Sequence, residues 1–401
     1  MIKINTNPEK IKKLLSHNTV EVIIGNDLKK GLESGKKLRI KLGCDPSRPD
    51  LHLGHSVVLR KLKEFQDLGH QVVFIIGDYT GMIGDPSGKS KTRPALSKDE
   101  VSKNAESYFK QVGKILDTEK TEIRYNSEWF SKMNLEDILK LTAKFTVARI
   151  LERDDFSKRL KSGIDIAASE IMYPIMQAYD SIAIDADVEI GGTDQKFNML
   201  AGRDLQRKMG KTEQNVLTCP LLVGLDGKEK MSKSLDNYIG ISEKPDSMFG
   251  KIMSISDAMI YYYFKLLTDI TEDDLKKIET DLKDPAKNPR DIKVRLAKEI
   301  IAIYHGKDDA EKAESEFNKV FRDKKKPSEI EEKQVENKKW KIVDLLPEIG
   351  FTNSKGSAKI LVEQGGAKVD DRIIKDWNEE IKDGSVVQAG KRKFIKVIFK
   401  K

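Results

Sequence analysis

Two short clusters in this 401-residue sequence carry residue types suited to handling phosphate. In His52-Leu-Gly-His55, two imidazoles flank Gly54, whose missing side chain lets a bulky anion approach the backbone. In Lys230-Met231-Ser232-Lys233-Ser234, two ammonium groups and two hydroxyls share five residues, and such cations stabilise charge building up on a transferring phosphoryl group. Three further sets lie between them. Asp85, in Gly84-Asp-Pro-Ser-Gly88, is a fixed carboxylate followed by the mobile cations Lys89 and Arg93. Tyr173, Gln177 and Asp180 recur at i, i+4 and i+7, so on a helix they share one stripe and suit a small polar ligand. Gly192-Thr-Asp194-Gln195 offers groups for hydroxyls or an amine. Three of these sets also have a plain reading. The histidines fit a surface beside a packing glycine, the lysine cluster fits a solvated charge run, and the helical stripe fits a buried structural network.

The elements around these residues are those of a nucleotide site. Leu38, Ile40 and Leu42 alternate with Arg39 and Lys41, which predicts a strand, and Gly43 to Pro49 breaks it. Val58, Leu62, Phe65 and Leu68 then recur at helical spacing until Gly69, placing His52 and His55 on the first turn. Unpartnered backbone N–H groups and the positive end of the helix dipole suit an anion there. Val72 to Ile76 is apolar on both faces, as a central parallel strand requires, so strand, helix and strand form a βαβ unit. The loop from Gly77 to Ser90 faces a ligand, but its closing Gly-Lys-Ser is no Walker phosphate loop, because position 83 holds Ile instead of Gly.

Further along, residues 98–160 read as helical, and a helix covers Ser169 to Asp180. Ile182–Ile184 and Val188–Ile190 read as extended, followed by glycines and a helix to Met209 that ends at Gly210. Val216 to Val223 reads as a strand, with a turn at Asp226-Gly227. Two leading helices are expected at 8–16 and 26–34, the second capped by Asn26. The fold class expected is therefore α/β, with a Rossmann-like parallel sheet.

Composition narrows the class. Charged residues make up 34% of the chain and no apolar run approaches a membrane span, so no membrane partner is expected. Residues 1–8 have no apolar signal segment, and two cysteines, Cys44 and Cys219, make neither a disulfide framework nor a metal cluster; both point to the cytoplasm and to no structural metal. The net charge of +8 is uneven. Residues 338–401 hold 15 Lys/Arg against 9 Asp/Glu, a surplus of +6 that suggests a polyanionic partner. A charged linker poor in apolar residues, 324–339, precedes this last module.

Taken together, the motifs are recognisable. His52-Leu-Gly-His55 resembles the HIGH signature of class I aminoacyl-tRNA synthetases, and Lys230–Ser234 matches their KMSKS signature. Gly84–Gly88, the Tyr173/Gln177/Asp180 stripe and Gly192–Gln195 resemble the tyrosyl branch, and the tail resembles the S-four-type RNA-binding domain of its bacterial members. The resemblance implies a catalytic domain over 1–240 with a dimer-interface segment at about 120–190. An α-helical anticodon-side domain would span 241–323 and an RNA-binding domain 340–401. It implies tyrosine, ATP with Mg2+ and tRNA(Tyr) as partners, a homodimer, and no DNA. Asp45, Ser47, His52, Gly54, His55, Gly192, Asp194 and the residues Lys230, Met231, Ser232, Lys233 and Ser234 would hold ATP. Lys89 and Arg93 would close on pyrophosphate; Asp85, Tyr173, Gln177 and Gln195 would bind the amino acid's ammonium, and Asp180 its phenol. A tryptophanyl-type synthetase and a non-catalytic RNA-binding protein on a synthetase body are the alternatives. In one place the sequence departs from the branch: many members carry a tyrosine on the first strand that also contacts the substrate hydroxyl, and this chain has Lys41.

Overall fold

The computed structural model describes residues 3–87, 97–321, 330–390 and 393–400. Its elements begin with α1 (Pro8–Ser16), β1 (Glu21–Ile23), α2 (Gly25–Glu33), β2 (Arg39–Cys44), α3 (Leu53–Asp67) and β3 (Gln71–Ile76). Next come α4 (Lys98–Val112), β4 (Thr121–Tyr125), α5 (Ser127–Phe130), α6 (Leu135–Thr142), α7 (Val147–Leu151), α8 (Asp154–Lys161) and α9 (Ala168–Ala183). β5 (Val188–Gly192), α10 (Lys196–Lys208) and β6 (Asn215–Cys219) complete a six-stranded sheet of order β1-β6-β5-β2-β3-β4. All its neighbours run parallel except β1, which pairs antiparallel with β6.

Strand β3 is buried from Val72 through Ile76, as its unbroken apolar run requires of a strand covered on both faces. The chain goes outward from β2 through β3 to β4, then returns to the other side of β2 with β5. Such a reversal leaves a crevice at the carboxyl ends of the central strands.

Four local expectations change. Ile182–Ile184 is not extended: α9 runs to Ala183, because Ala178 and Ile182 continue its buried stripe against Leu205 and Phe156. The chain turns only at Asp185, which is left-handed (φ 48°). Helix α2 starts one residue earlier than expected, and Asn26 lies inside its first turn, so it is not the cap. β1 and β4 are strands that the sequence pattern did not announce; β4 lies within 98–160, read as helical, and the apolar residues of both are too few to set a period.

The chain divides into two compact units. Residues 1–244 and 251–304 form the first, and residues 245–250 and 305–401 the second. The helices α11 (Pro245–Ser254), α12 (Ile260–Leu267), α13 (Glu272–Lys283) and α14 (Pro289–His305) precede α15 (Lys307–Phe321). Most of α12–α14 therefore falls in the unit of the large sheet and not in a separate helical one. In the second unit come β7 (Glu332–Val335), β8 (Trp340–Lys341), α16 (Ile342–Glu348), α17 (Lys355–Glu363), β9 (Ala367–Val369), β10 (Arg372–Ile373), β11 (Glu380–Ile381), β12 (Val386–Ala389) and β13 (Lys393–Phe399). Five of these strands form a sheet of order β10-β9-β12-β13-β7 over a core that includes Trp340, Leu345, Leu346, Val387 and Val397. Residues 332–335, expected in the linker, are thus a strand of this sheet, paired in parallel with β13.

Candidate active site

β2 and β5 are paired only at Ile40–Val188 and Lys41–Glu189. Beyond those pairs the strands part, and a cavity of about 490 Å3 opens at their carboxyl ends. Its wall includes every expected site residue that the structure describes: Asp45, Ser47, His52, Gly54, His55, Asp85, Tyr173, Gln177, Asp180, Gly192, Asp194, Gln195 and Lys230 through Ser234. Lys89 and Arg93 lie outside the described residues.

At the nucleotide-like end, His52 is the N-cap of α3. Its Nδ1 accepts from the Gly54 N–H at 3.1 Å, and His55 Nδ1 accepts from the His52 N–H at 3.2 Å. With both Nδ1 atoms accepting, each neutral ring carries its proton on Nε2. Burial is the main cause that holds both imidazoles below their ordinary range, His55 down to about 3, and nearby Lys233 and Lys230 add to it. The pair therefore works as two neutral N–H donors.

The backbone donors expected to be open here are already used. Leu53 N–H donates to Ile239 O at 2.9 Å, Gly54 N–H to His52, and the N–H groups of His55 and Ser56 to His52 O at 2.9 and 3.3 Å. An anion at this helix would meet imidazole and not main chain. Gly54 has a steric task as well, since a Cβ there would stand 2.9 Å from the His52 ring.

In the lysine cluster, the Lys230 ammonium is ion-paired with Asp194. Lys233 is buried and donates to Tyr108 Oη at 2.8 Å and to Arg48 O at 3.2 Å. Asn237 holds the loop by accepting from Ser232 N–H at 2.8 Å and donating to Lys230 O at 3.2 Å. Asp194, implied at a ribose, is thus bonded to a lysine implied at phosphates.

At the other end, Tyr173, Gln177 and Asp180 all face the cavity, as their spacing required. Tyr173 Oη donates to Asp45 Oδ2 at 2.8 Å and Thr80 Oγ1 donates to Asp45 Oδ1 at 2.7 Å, which ties Asp45 to the Tyr173/Gln177/Asp180 stripe. Gln195 Nε2 donates to Asp85 Oδ2 at 2.8 Å, joining the two groups read from separate motifs. Asp180 Oδ1 accepts from the Trp129 indole N–H at 3.0 Å. Burial pushes the Asp180 carboxyl up to about 7, against the lowering effect of Lys41 and of the indole. Lys41 itself is not on the wall: its side chain is fully buried and its ammonium is bonded to Glu189 behind the stripe.

One end of the cavity thus offers neutral donors and cations to an anion, and the other a polar stripe to a small ligand. Residues 32–322 match the family described as tRNA synthetases class I (W and Y). The chain belongs to that family. A tyrosine--tRNA ligase of Thermotoga maritima is 52% identical over 392 residues, covering 97% of this chain and 98% of its own length. One of Francisella tularensis is 49% identical over 389 residues, covering 96% and 98%. A solved tyrosyl-tRNA synthetase of Archaeoglobus fulgidus, complexed with L-tyrosine, shares the fold with a TM-score of 0.62 at 24% identity, over 76% of this chain and 98% of that one.

Sequence reasoning missed four residues that lie on the cavity wall or bond to residues of it. Trp129, which holds Asp180, lies in a stretch of unremarkable helical pattern. Thr80 and Tyr108 each anchor a motif residue across the fold, and Glu189 was hidden in an apolar strand. None carries a local signal, except that Trp129 is one of only three tryptophans.

Proposed function

We infer that the chain is a tyrosine–tRNA ligase, and that the two ends of the cavity divide its first reaction between them. The observation that carries this reading is the Tyr173/Gln177/Asp180 stripe sharing one cavity wall with both signature clusters. A tyrosine placed with its ring along the stripe would give its phenol to Asp180 and its ammonium to Tyr173, Gln177, Asp85 and Gln195. Its carboxylate would then lie toward the histidines.

The carboxylate is already ionised at neutral pH and needs no base. One of its oxygens attacks the α-phosphorus of ATP, the bond to the bridging oxygen breaks, and pyrophosphate leaves. A terminal hydroxyl of tRNA then attacks the mixed anhydride's carbonyl and AMP departs. Positioning and charge stabilisation do most of the work in such transfers. His52 and His55 would donate from Nε2 to ATP, Lys230 and Lys233 would meet the phosphates on leaving their present partners, and Asp194 and Gly192 would hold the ribose. Lys89 and Arg93 would close over pyrophosphate. Magnesium would enter as the counter-ion of ATP; among the described residues no group of three or more metal-ligating side chains is gathered to hold it.

The basic module from β7 onward is assigned to tRNA, as an S-four-type domain, and 241–323 to the anticodon side. Leu135, Leu139, Val147, Leu160 and Ile164 are exposed apolar side chains within 120–190, which supports that segment as a homodimer interface. No helix among the described residues is long and apolar enough to cross a membrane, and the cytoplasm is the compartment proposed. ATP–pyrophosphate exchange run with each amino acid in turn tests the reading: tyrosine should support it and phenylalanine and tryptophan should not. Exchange with tryptophan alone, or with none, would overturn it.

A further inference from the structure

Lys41 and Glu189 are the last cross-strand pair before β2 and β5 part, so they sit just beneath the point where the crevice opens, behind its lining. Their side chains are 0% and 2% exposed, with Nζ 2.8 Å from Glu189 Oε1. The Lys41 ammonium also donates to Ser181 Oγ at 2.8 Å and to the Gln177 backbone O at 2.9 Å, so its three protons tie β2 to two elements, α9 and β5. Glu189 Oε1 accepts from Gln177 Nε2 at 3.1 Å, and Oε2 from Gln214 Nε2 at 2.5 Å and Ser181 Oγ at 3.2 Å. Gln177 is therefore held at its backbone carbonyl by Lys41 and at its side-chain amide nitrogen by Glu189, the two members of one ion pair.

Stability alone is a weak reason to keep such a pair, since apolar residues of equal volume do as well or better. Its surroundings give it a second use. Asp180 follows Gln177 by less than one turn of α9. It faces Lys41 from β2, Glu189 from β5, the neutral Trp129 and Asn126 at the start of α5, and Tyr173 on its own helix.

We propose that Lys41 and Glu189 are positioning residues for amino-acid selection, orienting Gln177 and setting the electrostatic field at Asp180 without touching the substrate. This rests on the tyrosine reading of the pocket. In it, the lysine takes the place of a direct contact to the phenol by acting on the group that makes that contact. The two charges act oppositely at Asp180: Lys41 favours the ionised carboxylate and Glu189 disfavours it. Bonded together they partly offset one another, Lys41 having the larger effect, and removing either uncovers the other.

The test is the pH profile of tyrosine-dependent ATP–pyrophosphate exchange at low tyrosine, from about pH 5.5 to 9, where the acid limb reports an ionised carboxylate. Lys41→Met should move that limb to higher pH and Glu189→Gln to lower pH. Each shift should be on the order of half to one pH unit, or roughly three- to tenfold in KM for tyrosine on the limb, with KM for ATP unchanged. Lys41→Arg should restore the wild-type limb. Lys61→Met is the control for lost stability, because Lys61 is also buried but is bonded to the carbonyls of Leu14 and His17, away from the cavity. Glu189→Gln keeps the network's shape and carries the test alone if Lys41→Met does not fold. Profiles that overlay wild type, or that both move the same way, overturn the proposal. Absence of tyrosine-dependent exchange in the wild type would instead overturn the reading of the pocket, and the proposal with it.

Discussion

Gly54→Ala should leave the protein about as stable as before and yet slow its first reaction. The added Cβ would stand 2.9 Å from both Cε1 and Nδ1 of His52 and 3.5 Å from the Met231 Cβ. The backbone itself suits alanine, because Gly54 lies within α3 and its φ is not in the left-handed region. The His52 ring is the part that yields, and on turning away it gives up the cap it makes to the Gly54 N–H. A lost N-cap costs about 1 kcal/mol, and replacing glycine by alanine in a helix returns up to about 1 kcal/mol, so the melting temperature should move little. The displaced ring also withdraws its Nε2 proton from the cavity. Removing one pre-set donor from a developing oxyanion slows comparable reactions by about 10²- to 10³-fold. Thermal unfolding together with exchange kinetics at saturating tyrosine checks both halves. A variant that exchanges at the wild-type rate would refute the placement of His52 at the nucleotide. One that loses several kcal/mol would refute the offset between cap and propensity.

Further outcomes concern Asp180 and the C-terminal module. Asp180 titrates near 7, so wild-type exchange at low tyrosine should rise as pH passes upward through that value and the carboxyl ionises. In Asp180→Asn that limb should vanish, and the preference for tyrosine over phenylalanine should fall about 10- to 100-fold, the weight of a hydrogen bond to a charged group; an unchanged preference would remove Asp180 from the phenol. Truncation before residue 330 removes β7 with the module it belongs to, and should spare exchange while abolishing charging of tRNA. Truncation at 338 leaves β7 without β13, and its unpaired edge should make that protein the more aggregation-prone on light scattering. Loss of exchange in the shorter protein would show that the tail supports the catalytic unit.

How far the sequence reached depended on the range of each interaction. The Tyr173/Gln177/Asp180 stripe was legible because helical spacing is local, and Pro174 did not disturb it. The strand–glycine–helix repeat at His52 and at Gly192 was legible for the same reason. At Gly192 a Cβ would stand 2.8 Å from Leu221 Cδ2, so the residue type reflects a close approach. Lys41 was misleading: its alternation with Ile40 and Leu42 suggests a wet face, but Glu189, far along the chain, makes that face dry. The bonds of Tyr108 to Lys233 and Thr80 to Asp45 likewise join residues that no short window contains. The helix start at His52 failed as a bare N–H cradle because Ile239 and the histidines' own Nδ1 atoms filled it, a partner set that only the fold supplies.

The place of β13 inside its sheet has a consequence for how the protein is made. It is the last strand in sequence, but it lies between β12 and β7 and joins the two. A ribosome releases it after all its neighbours, so β7 must wait unpaired while the rest of the module is translated. Domains fold largely in the order they emerge. The unit that carries the cavity is complete by Tyr304, so it can collapse while the C-terminal module is still an open chain. Nascent protein would then acquire its cavity before its C-terminal sheet closes.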